Sequence, residues 1–123
     1  MQILDRTNGN RFANLNAGGG DQLVYDAGTN RYYYAASRWT ANGLSSGASC
    51  SAASPCTPRF IVIDASTRSV IYTVPSGNNA HSVAFDAAHN RAFLPSSSAT
   101  APAGCADCVG GNAPNGGILV YQF

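Results

Sequence analysis

Lysine and glutamate are absent from this chain of 123 residues: its seven basic residues are all arginine and its six acidic residues all aspartate. The polar residues that best favour helix are therefore missing, and almost no helix is expected. Charge is scarce and sums to +1 with no basic cluster, which argues against a nucleic-acid partner. No apolar run approaches the roughly 20 residues of a membrane-spanning helix. Met1–Arg6 has neither a basic leader nor an apolar stretch, so no signal peptide is expected in the sequence. The four cysteines sit in Ser/Gly/Pro-rich segments and point to an oxidising compartment. Together these readings imply a secreted or periplasmic protein whose leader has been removed or lost. What the chain does contain is Gly, Ser, Asn and Thr for turns and Tyr, Phe, Val and Ile for strands. Its length allows one domain with a modest core.

Two segments share one wording at an offset of sixty residues. Asp21-Gln-Leu-Val-Tyr-Asp26, then Asn30-Arg31-Tyr-Tyr-Tyr34, matches His81-Ser-Val-Ala-Phe-Asp86, then Asn90-Arg91-Ala-Phe-Leu94. A fixed period of this size predicts a repeat architecture. Between the copies, 59–64 and 69–74 read as a hairpin around a polar turn. The N-terminal segments 2–5 and 11–15 echo that hairpin around Asn8-Gly9, and 117–122 echoes 59–64. With strands of one repeat labelled A to D, the chain reads C, D, A, B, C, D, A, B, C. Strand A is about 22–26 and 82–86, and strand B is 31–37 and 91–95. Strand C is 2–5, 59–64 and 117–122; strand D is 11–15 and 69–74. Two long B-to-C insertions, 38–57 and 97–116, carry one cysteine pair each and are of a length that is usually functional or mobile.

Four short strands per repeat of about sixty residues is the layout of a β-propeller blade. The wording resembles the YVTN-type propeller repeat in His81-Ser-Val-Ala-Phe-Asp86, Asn90-Arg-Ala-Phe-Leu94 and Phe60-Ile-Val-Ile-Asp64. The resemblance implies an all-β fold of antiparallel four-stranded propeller blades: about two blades in nine strands, with essentially no helix. The whole chain, 1–123, is then one partial propeller domain, with blade-like repeats at about 1–20 (partial), 21–80 and 81–123. Closed rings need about four to eight blades. The chain is therefore expected to be the C-terminal piece of a longer secreted propeller or to self-associate through its open blade edges.

Strand A lines the central channel of a propeller, so the resemblance would place His81 and Asp21 around one channel mouth. An imidazole and a carboxylate there could serve an acid/base pair or a divalent metal; otherwise His81 caps its strand. No cofactor is predicted from the sequence itself. Asp26, Asn30 and Arg31, with Asp86, Asn90 and Arg91, read as turn residues, and His89 as a solvated one. Cys50 and Cys56, and Cys105 and Cys108, read as one disulfide per insertion, with cross-linked insertions or a zinc site as alternatives. Gly43-Leu-Ser45-Ser-Gly47 fits the G-x-S-x-G nucleophile pattern, and the order Ser45, Asp64, His81 matches that triad, but no helix is expected after it. Trp39 is either a contact residue for a sugar or a partner, or packing for the blade edge. Tyr32 and Tyr34 should share one strand face and Tyr33 the other. The leading expectation is a non-catalytic binding module whose protein, carbohydrate or small-molecule ligand meets the channel mouth and long loops. The alternative is a hydrolase of esters or lactones, metal-dependent at His81 and Asp21, or a serine esterase using Ser45.

Overall fold

A computed structural model of the chain describes residues 1–40, 43–47, 50–97, 105, 108 and 116–123. Most of the insertion expected at 97–116 lies outside the described residues. Nine strands follow one another: β1 (Gln2–Leu4), β2 (Arg11–Asn14), β3 (Leu23–Asp26), β4 (Arg31–Ala36), β5 (Arg59–Asp64), β6 (Ser69–Pro75), β7 (Ala84–Asp86), β8 (Arg91–Ser96) and β9 (Gly117–Gln122). Each falls within two residues of its expected place, and no helix occurs among the described residues. They form antiparallel sheets of two, four and three strands: β1-β2, β3-β4-β5-β6 and β7-β8-β9.

The tight turns share one design. An aspartate at or just past the end of the first strand accepts hydrogen bonds from the turn, and a residue of positive φ opens the return strand. Asp26 Oδ2 accepts from Thr29 N–H and Oγ1–H at 2.7 and 2.6 Å, and Asn30 follows at φ 53°. Asp64 Oδ1 accepts from the same two groups of Thr67, with Arg68 at φ 55°. Asp86 holds Ala88 N–H and the His89 ring, with Asn90 at φ 52°. Asp5 holds Thr7, with Gly9 at φ 73°. The hairpins β1–β2 and β5–β6 also share a bulge just ahead of the turn aspartate, at Ile3/Leu4 and Val62/Ile63.

The four-stranded sheet is covered on both faces, which is why Phe60-Ile-Val-Ile63 reads as an unbroken apolar run. Tyr33, Ala35, Phe60 and Val62 face the three-stranded sheet and pack with Val83, Ala92 and Leu94. The Tyr33 ring stacks on Phe85, centroids 4.0 Å apart, and Phe60 meets Tyr121 at 4.8 Å. Tyr34, Ala36, Ile61 and Ile63 face the other way and cluster with Ala17, Leu15 and Met1. Tyr32 and Tyr34 thus share a face, with Tyr33 opposite. Burying each large side chain of these clusters contributes about 1.5–3 kcal/mol.

The first insertion carries structure of its own. Trp39 and Ser45 form an antiparallel bridge, closed by Thr40 N–H to Leu44 O and Gly43 N–H to Thr40 O, both 2.9 Å. Gly43, at φ 72°, lies against Asn16, where a Cβ would collide with the backbone. Cys50 is disulfide-bonded to Cys56 and Cys105 to Cys108, so each insertion holds its own bridge. Both sulfurs of the first bridge lie against the Ser37 carbonyl oxygen.

Candidate functional site

The segment entering β3 is held down by its glycines. A Cβ on Gly20 would collide with the Ala35 carbonyl oxygen, so only glycine lets the chain pass this close to β4. Tyr34 Oη–H donates to Gly20 O at 3.1 Å, and burial pushes the Tyr34 hydroxyl pKa upward. The chain therefore leaves Gly20 in a fixed direction and presents Asp21 at the mouth of β3. The segment entering β7 arrives alongside. Gln22 Oε1 accepts a hydrogen bond from Val83 N–H at 2.9 Å, stitching the start of one sheet to the start of the next.

Asp21 and His81 meet at this seam. Asp21 Oδ2 lies 3.4 Å from His81 Nδ1, and its Oδ1 accepts from Arg38 Nη2 at 3.2 Å. Arg38 is placed by its backbone: its N–H donates to Gly19 O, and its carbonyl accepts from Ser46 N–H, both 2.9 Å. The three side chains are 57% (Asp21), 42% (His81) and 33% (Arg38) exposed. At that exposure the pairings contribute little to stability, while the groups stay open to a partner. A carboxylate flanked by a guanidinium and an imidazole is a compact hydrogen-bonding rim with both donors and acceptors.

This donor set falls short of a catalytic zinc site. Asp21 and His81 supply two ligands where a catalytic zinc takes three from protein, and the third neighbour, Arg38, is a cation. Among the described residues no group of three or more His, Cys, Asp or Glu converges.

Ser45 packs beside the segment leading to Asp21, for a Cβ on Gly19 would strike its side chain. Its Oγ accepts from Gly47 N–H at 3.2 Å, and Ser45 itself is bridged to Trp39 rather than seated on a strand-to-helix elbow. Among the described residues no hydrogen bond or ion pair joins Ser45, Asp64 and His81; Asp64 is tied to Thr67 within its own turn. Trp39 is half-buried, resting on Gly18 and the cluster of Tyr34 and Ile61. Asp26 and Asn30, and Asp86 and Asn90, serve their turns, and His89 is an exposed partner of Asp86.

Arg38 of the rim and Gln22 of the seam were not singled out from sequence. Arg38 has no counterpart in the second copy, where Ser98 occupies the matching position. Gln22 was within the duplicated wording, opposite Ser82, but nothing in that wording distinguishes a side chain that bridges two sheets. No protein-family model, curated protein or solved structure matches the chain, so the rim rests on its own geometry.

Proposed function

We propose that the chain is a propeller-type segment of the YVTN kind, acting as a non-catalytic binding module whose partner meets the rim of Asp21, Arg38 and His81. The observation that carries this reading is the 3.4 Å contact between Asp21 and His81, residues at matching positions sixty apart in sequence. Support comes also from two antiparallel sheets, each ordered by sequence, whose first strands β3 and β7 adjoin. In this reading 1–123 is one partial domain of blade-like units, and the β9 edge is open to self-association. Disulfides in both insertions are compatible with a secreted or periplasmic location. The rim favours binding over hydrolysis because the carboxylate, imidazole and guanidinium engage one another and, among the described residues, no nucleophile is bonded to them.

The test is a screen of immobilised glycans and peptides, run beside an ester and lactone panel, with wild type, His81→Ala, Asp21→Asn and Ser45→Ala. The expected result is a ligand retained by wild type and Ser45→Ala, weakened by the two rim variants, with no turnover. Ester or lactone hydrolysis abolished by His81→Ala or Ser45→Ala would replace the proposal with the hydrolase reading.

A further inference from the structure

A cavity of about 330 Å³ lies between the β1–β2 hairpin and the adjoining face of the four-stranded sheet. Its apolar wall includes Ile3, Leu15, Leu23, Tyr32 and Ile63, and Asp64 and Arg68 belong to the same lining. The volume is at the small end of ligand cavities, and an apolar wall with few charged groups is their usual character. The two charges differ in availability. Asp64 already accepts both Thr67 bonds and lies in the field of Arg31. Arg68 is exposed and pairs with no carboxylate among the described residues; its guanidinium lies 4.2 Å from the centroid of the Phe12 ring. That contact occupies the face of the guanidinium and leaves its N–H edge free to donate.

The backbone supplies the second argument. Arg68 sits at φ 55°, while the sister turns place Gly9, Asn30 and Asn90 at the corresponding left-handed position. Gly and Asn accept that conformation readily and Arg does not. The chain therefore holds a cation on this cavity against the preference of its own turn, as strained residues at ligand clamps do.

We propose that this cavity binds a small amphipathic carboxylate, its apolar body against Leu23, Tyr32 and Ile63 and its carboxylate on the N–H edge of Arg68. The site is separate from the rim of Asp21 and His81 and does not depend on it. Bidentate pairing of guanidinium with carboxylate supplies both orientation and selectivity for the anion.

The test titrates octanoate, and 1-octanol as its neutral counterpart, into wild type and Arg68→Asn while following Leu23 and Tyr32 by NMR. Asn suits the left-handed turn, so the variant should unfold at or above the wild-type temperature, and lost binding cannot be ascribed to lost folding. The expected result is saturable octanoate binding at Leu23 and Tyr32, weakened about tenfold or more in Arg68→Asn, with 1-octanol unaffected by the substitution. Three results would each overturn the proposal: no saturable octanoate shift, equal octanoate affinity in the variant, or a parallel loss of 1-octanol.

Discussion

At the scale of single residues, the turn aspartates are the most repeated device in the chain. Hydrogen bonds from Thr29 hold the Asp26 pKa below its ordinary 3.8, and Thr67 does the same for Asp64. A depressed folded pKa gives stability that is present above the unfolded value and lost as pH falls through the folded one. Thermal unfolding of Asp26→Asn/Asp64→Asn against wild type should therefore show a deficit at pH 7 that narrows as pH falls below about 4. A deficit that is constant with pH would deny the carboxylates this role. Asp26 and Asp86 were legible in the sequence because the whole phrase around them repeats. Asp64 was hidden: it and Thr67 share the spacing of Asp26 and Thr29, but Arg68 replaces the asparagine that made the pattern recognisable. That replacement costs of order 1 kcal/mol in backbone strain, which the propensity of a turn alone would not predict. Arg38 was illegible for a different reason, since its place on the rim comes from backbone bonds to Gly19 and Ser46.

At the scale of elements, alternation and turn chemistry located the eight strands of the four hairpins, because each hairpin is decided by contacts close in sequence, and β9 was located by its likeness to β5. The order of the insertion at 38–57 is not legible in its Gly- and Ser-rich composition because it rests on backbone bonds: Gly18 N–H donates to Gly43 O at 2.7 Å, and Thr57 N–H to Trp39 O at 2.7 Å. Its disulfide closes a loop of sequence separation 6, for which chain entropy gives about 2 kcal/mol of stabilisation. Chemical denaturation of Cys50→Ser/Cys56→Ser should show a loss of that order. A variant as stable as wild type would mean that the bridge contributes nothing to the fold.

At the scale of the whole molecule, what matters is how the two larger sheets meet. The resemblance to propeller blades implied that Asp21 and His81 would lie around one channel mouth, yet the contacts that join the sheets are not readable from either copy alone. Tyr33 of the first sheet stacks on Phe85 of the second, and Gln22 bonds Val83 across the seam; both pairings join residues far apart in the chain. In the first copy Tyr33 is one of three consecutive tyrosines, and nothing in that run marks which one carries the interface. The rim exists only if this stack holds the sheets in place. The most direct measurement is the nuclear Overhauser effect between the Tyr33 and Phe85 rings in solution. The account predicts a strong cross-peak, consistent with centroids 4.0 Å apart. Absence of that cross-peak in folded protein would separate the two sheets and dissolve the rim on which the proposed binding function rests.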